Sequence, residues 1–249
     1  MLRIDVRLLL LCFISCFFMS PPVSAAWQKQ PIVIAASATI PPYVIEKTDT
    51  GIQLNIIKAA LIEQGLDNIV VIYMSNKRAE QQLHSGNVDI LLNYAGKRGA
   101  GIYPSQPVLS YKNVAVSLKK RNFTIETINE LNNKSVLGFQ HATAYLPPSF
   151  AKGVAQFASY EEVVNQRAQI DRLMKEWVDV IVLDERIFHY YNINYSHSLP
   201  VNIHAIFPKA PRPAYFNNPV LQQKFDKGLV AMKQSGKYQQ LLNVNGHAK

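Results

Sequence analysis

Short apolar runs alternate with segments of helical spacing along this chain. Residues 31–36, PIVIAA, are apolar and rich in β-branched side chains, which predicts a strand. A loop containing Pro41 and Pro42 follows. Gly51 then opens a segment in which Ile52, Ile56, Ala59, Ala60 and Ile62 recur at helical spacing as far as Gly65. Ile69–Tyr73 reads as a second strand. Asn76–His84 reads as a helix stopped by Ser85-Gly86, and Val88–Leu92 as a third strand. Strand, helix, strand, helix, strand at this spacing predicts a parallel α/β unit.

The same order restarts near residue 120, without any repeat of the sequence itself. Tyr111–Lys119 alternates like a strand, and Thr124 is placed to cap a helix through Leu131. Ser135–Phe139 predicts a strand, and Ala142–Phe150 a short helix broken at Pro147-Pro148. Ser159 and Glu162 have the spacing of a capping box ahead of a helix running to Trp177. Val178–Leu183 is a buried strand, and Asp184 caps a helix over 185–191. In the tail, Asn217-Asn218-Pro219 starts a helix with Val220, Leu221, Phe225, Leu229 and Met232 on one face. Ser235-Gly236 ends it before a last short helix over 237–242. The pattern predicts two small α/β lobes.

The N-terminus changes where this fold is expected to work. Arg3 and Arg7 precede the apolar run Leu8–Met19, and Val23-Ser24-Ala25 resembles a small-residue cleavage site, so residues 1–25 read as a signal peptide. Both cysteines, Cys12 and Cys16, lie within it, so the mature chain is expected to hold together by core burial without disulfides. The formal charge of +9 suggests a nucleic-acid partner for a cytoplasmic chain. Export to the periplasm removes that partner and leaves attraction to anionic solutes or envelope surfaces. The expectation is a periplasmic monomer that binds no nucleic acid.

Reactive chemistry is sparse. The six histidines show no close metal-ligand spacing. There is no nucleophile elbow, and Gly99-Ala100-Gly101 lacks the third glycine and the following helix of a dinucleotide fingerprint. Neither a metal nor a cofactor is expected. The loop after the third strand, Gly96-Lys97-Arg98-Gly99, sits where open α/β sheets bind ligands, and an arginine there can grip a carboxylate through paired N–H bonds.

Four stretches carry a family resemblance: IPPY after the first strand, SGNVDILL, WVDVIVLDERIFHYY, and NPVLQQKFDKGLVAMKQSGKYQQLL in the tail. In this order, behind a signal peptide, the chain resembles type II periplasmic solute-binding proteins of the amino-acid-binding family, the receptors of ABC importers. The resemblance implies a two-lobed α/β fold, each lobe a mixed, mostly parallel sheet flanked by helices, with two crossover strands as hinge. Lobe 1 would comprise residues 26–113 and 205–249, and lobe 2 residues 114–204. It implies that Arg98 binds a ligand carboxylate, that Asp184 takes its ammonium, and that Thr143 helps hold the carboxylate. Ile40 and Tyr43 fall where the family places its side-chain wall. Arg78 is a rival anion holder, and Tyr94 and His141 are further cleft candidates. The interval from Asp89 to Arg98 is shorter than the family's, and Ala142 replaces the glycine that precedes the threonine.

The function implied is capture of a small anionic or zwitterionic solute, an amino acid or relative, for an inner-membrane ABC permease. Two alternatives stand beside it. One is a receptor of the same fold serving a membrane sensor. The other is a cyclohexadienyl-dehydratase-like enzyme, for which His141, Glu46 and Glu185 are the candidate acids.

Overall fold

The computed structural model describes residues 30–36, 39–94 and 101–243. The expected signal peptide and Arg98 lie outside those residues. Strand β1 (Ile32–Ala36) is followed by α1 (Ile52–Ile62), β2 (Ile69–Tyr73), α2 (Asn76–His84), β3 (Ile90–Leu91) and β4 (Tyr103–Tyr111). Next come β5 (Asn113–Leu118), β6 (Ser135–Phe139), α3 (Ala142–Tyr145), α4 (Pro148–Gly153), β7 (Ser159–Val163), α5 (Gln166–Met174), β8 (Val180–Asp184), α6 (Glu185–Asn192) and β9 (Val201–His204). Strand β10 (Ala210–Phe216), α7 (Pro219–Gln234) and α8 (Lys237–Asn243) complete the chain.

Two five-stranded sheets result, ordered β2-β1-β3-β10-β4 and β7-β6-β8-β5-β9. In each, the strands of the βαβ units pair in parallel, while the strands at the crossings pair antiparallel. Antiparallel pairing is what a chain arriving from the other lobe allows, because it enters with no crossover helix behind it. The alternating segment around residue 111 is therefore two strands. β4 ends at Tyr111 in the first sheet and β5 begins at Asn113 in the second, with Lys112 between them.

Strand β8 shows why the second sheet reads as a continuous apolar run. Ile181 and Leu183 pack on one face with Ile170, Leu173 and Ile187 of the helices. Val180 and Val182 pack on the other with Phe150, Phe157 and Phe207. A strand covered on both faces has no polar side to show. The first sheet is built the same way: Ile34 and Ile90 face α1 and α7, while Ala35 and Leu91 face Ala79 and Leu83 of α2. Both lobes also share one aspartate device. Asp89, just before β3, accepts the Val33 N–H at 2.8 Å; Asp179, just before β8, accepts the Ser135 N–H at 2.9 Å.

Two local expectations give way to tertiary context. Ser159–Val163 is an edge strand, not a capped helix start. Its pairing with β6 from Ser135↔Ser159 to Phe139↔Val163 satisfies more backbone groups than one cap would. The helix begins later, where the Asn165 side chain accepts the Arg167 N–H. The helix expected from Thr124 contracts to a 3₁₀ turn, Ile128–Leu131, closed by a capping box of Thr127 and Glu130. The tail helices follow the expected pattern, with Asn218 capping α7 through the Val220 and Leu221 N–H groups.

Candidate functional site

A cavity of about 410 Å³ opens where the carboxyl ends of β3, β6 and β8 meet their loops. That is the crevice in which open α/β sheets bind ligands, and its size falls in the usual range for small-molecule sites. Both lobes line it: Ile40, Leu92, Tyr94 and Tyr111 from the first, Phe139, His141, Tyr145 and Asp184 from the second. The proline-flanked start of β10 supplies Pro211, Arg212, Pro213 and Tyr215.

Asp184 ends β8 and is buried, with 3% of its surface exposed. Oδ1 accepts the Tyr43 hydroxyl at 2.7 Å and the Arg186 and Ile187 N–H groups at 2.9 and 3.2 Å. Oδ2 accepts the Lys112 N–H at 2.8 Å. The carboxylate thus caps α6 and ties the crossing between the sheets to the end of β8. Lys112 is gripped from its other side too, because its carbonyl accepts the Glu185 N–H at 2.9 Å. Burial raises the Asp184 carboxyl above its ordinary value, and the four donated hydrogen bonds pull in the opposite direction.

The β6–α3 turn is held by a carboxylate from the neighbouring strand. Glu162 accepts the His141 N–H at 2.6 Å, the Thr143 N–H and hydroxyl at 3.1 Å each, and the Tyr160 hydroxyl at 2.8 Å. Burial pushes this carboxyl up, but the donated bonds outweigh it and hold Glu162 below the usual carboxylate range. Thr143, which the resemblance expects to help hold a ligand carboxylate, gives both its N–H and its hydroxyl to Glu162. His141, left-handed at φ 62°, lines the cavity beside them.

Arg212 is the functional candidate that the sequence did not expose. Its guanidinium carbon lies 4.5 Å from the Tyr111 ring centroid and 5.9 Å from that of Tyr145. Nε is buried with no hydrogen-bond partner among the described residues, and the side chain forms no ion pair among them. A buried donor without a partner is costly and uncommon in a folded chain, and the half-buried side chain lines the cavity. The sequence pattern assigns no element to the segment Ala-Pro-Arg-Pro, residues 210–213. The segment forms the start of β10, which meets the short β3 only at Tyr215 and Phe216, so the prolines lie beyond that pairing. The pairing with β4 also slips at Arg212/Pro213. Prolines are tolerated at such irregular positions.

The other expected residues are dispersed. Ile40 and Tyr94 line the cavity, and the Tyr94 hydroxyl pairs with His84 Nε2 at 3.0 Å. Tyr43 is wholly buried behind the wall, its ring stacked 4.3 Å from Tyr111. Arg78 is exposed on α2; that helix contributes Asn76, not Arg78, to the lining. No cluster of residues suited to a metal ion occurs among the described residues.

Two mixed α/β lobes joined by short crossings, with a lined cavity at the strand ends, define a type II solute-binding protein. Residues 32–245 match the family model of bacterial extracellular solute-binding proteins, family 3, and the chain belongs to that family. Similar solved structures include the GluR0 ligand-binding core in complex with L-glutamate, 20% identical with a TM-score of 0.68, over 85% of this chain and 96% of that one. The amino acid ABC transporter substrate-binding protein AbpA of Streptococcus pneumoniae, bound to L-arginine, is 19% identical with a TM-score of 0.65, over 88% and 95%. A histidine kinase sensor domain with similarity to periplasmic binding proteins is 14% identical with a TM-score of 0.67, over 86% and 94%. At these identities the likeness establishes the fold. No curated protein matches the sequence. Among the described residues, no helix is long and apolar enough to cross a membrane.

Proposed function

We propose that this solute-binding protein works in the periplasm, capturing a small carboxylate-bearing solute between its lobes and delivering it to an inner-membrane ABC permease. The observation that carries the ligand class is Arg212. Its side chain lines the cavity and forms no ion pair among the described residues. An arginine fork in a partly dry site matches a carboxylate in both charge and geometry. Arg98 stands as a second candidate for the same anion. Ile40, Tyr94 and His141 would wall the ligand, and closure of the lobes on it would be the working step.

The test is a thermal-unfolding screen over organic acids, amino acids and polyamines, since a ligand that binds only the native state raises its melting temperature. The expected result is stabilisation by at least one carboxylate, lost in Arg212→Gln. Stabilisation by polyamines alone would sink the reading.

A sensing role is the second reading, favoured by the sensor-domain fold likeness. Uptake of the identified solute in a deletion strain separates the two. Import predicts lost uptake, whereas sensing predicts intact uptake and an altered transcriptional response.

A further inference from the structure

The floor of the cavity narrows the ligand further, on the reading that it is a carboxylate. We infer that the side-chain amide of Asn113 contacts the ligand and selects a solute that carries, beside its carboxylate, a neutral group able both to donate and to accept a hydrogen bond: a carboxamide or a hydroxyl.

Asn113 opens β5, whose other residues are apolar except for Ser117. Asparagine is depleted in strands, so propensity does not account for it there. Its backbone pairs antiparallel with Asp184, the last residue of β8. Residues opposite each other in such a pair carry their side chains on the same face, a few ångströms apart. Ala115, next along that face of β5, packs with Val180 and Val182 of β8 and with Phe150 and Phe157. Asn113 stands where this apolar core gives way to the cavity, and it forms part of the lining.

Only 4% of the residue's surface is exposed. Its amide nonetheless has no hydrogen-bond partner among the described residues. The neighbouring Asp184 carboxylate is no exception, since its bonds come from Tyr43, Lys112, Arg186 and Ile187. Burying an amide without hydrogen bonds is costly. The amide offers two donors and a carbonyl acceptor. A ligand carboxylate would meet only the donors and would lie against the Asp184 charge. An ammonium would meet only the carbonyl. A carboxamide or a hydroxyl meets both. The same cost makes the position selective, because a site that hydrogen-bonds a ligand group rejects the isostere lacking it, whose binding leaves the site's polar atoms unpaired. Asn76 at the start of α2 and Asn93 after β3 bring further neutral amides to the lining from the other lobe.

Calorimetric titration of the purified protein with isosteric pairs tests this. The pairs are succinamate and 4-methylpentanoate, L-asparagine and L-leucine, lactate and isobutyrate, and L-threonine and L-valine. Within a pair the carboxylate and the shape are shared, and only the first member carries the neutral polar group. Butyramide keeps the amide and lacks the carboxylate. The polar member of at least one pair is expected to bind about tenfold more tightly than its isostere, or better. Asn113→Leu, and Asn113→Ala as a variant that adds no bulk, should erase that preference by weakening the polar member and sparing the apolar one. An asparagine with a merely structural role would lower both members alike. That result, or equal binding within every pair by the wild type, overturns the inference and leaves the carboxylate reading intact. Butyramide binding as tightly as any carboxylate of the panel would overturn the carboxylate reading alone. If nothing in the panel binds, both fall together.

Discussion

Removing one hydroxyl from the hinge tests the assignment of Asp184 as a structural tie. In Tyr43→Phe the ring remains stacked on Tyr111, 4.3 Å away at 26°, so apolar burial is unchanged. The loss is confined to the 2.7 Å bond from the hydroxyl to Asp184 Oδ1, which spans 141 positions of chain and joins the two lobes. Hydrogen bonds to charged groups contribute about 1.5–3 kcal/mol, so the variant should lose about that much stability. For a protein of this size, that corresponds to a fall in Tm of about 3–12 °C. Urea unfolding followed by circular dichroism measures the difference. Tyr111→Phe is the control. Its hydroxyl makes a long bond, 3.4 Å, to the neutral Gln53 amide, so its removal should cost about 1 kcal/mol or less. The pH dependence has a defined sign. The Tyr43 bond favours the ionised carboxylate, so its contribution is full above the folded-state pKa of Asp184, which burial raises. The gap between wild type and Tyr43→Phe should narrow as pH falls through that value. A loss below about 0.5 kcal/mol, or a loss equal to the control's, would refute the tie.

Gly228→Ala should destabilise despite alanine's better helix propensity of about 1 kcal/mol, because a Cβ there would lie 1.9 Å from the Ala60 carbonyl oxygen. The expected net loss is about 1–3 kcal/mol, read from the urea midpoint, and an unchanged midpoint would show that α1 and α7 do not pack this closely. His204 is held neutral by burial beside Ser117, with Nε2 and Oγ 2.9 Å apart, and its pKa lies below the ordinary histidine value. Its contribution to stability is therefore present above the unfolded value of about 6.5 and lost as pH falls through the folded one. His204→Gln should lose less stability than wild type between pH 7 and pH 5, and parallel losses would remove His204 from the account.

The sequence alone determined the lobes' internal architecture. Apolar runs such as Val180–Leu183 are buried on both faces, and such strands announce themselves whatever surrounds them. Local caps were equally legible. Asp184 before α6 and Asn218 before α7 act within their own turn of chain, so no distant residue is needed to find them. Tertiary structure decided which partners each charged group meets. Nothing in the order of residues says that Tyr43 and Lys112 meet Asp184, or that Glu162 meets both donors of Thr143. The same holds for Arg212, which sits between Pro211 and Pro213 with no local pattern to single it out. It enters the cavity only because β10 returns from the second lobe to pair with β3 and β4. Periodicity and capping are short-range physics that a sequence carries openly. The partners of Arg212, Tyr111 and Tyr145, lie far from it along the chain, and only the folded chain brings them together.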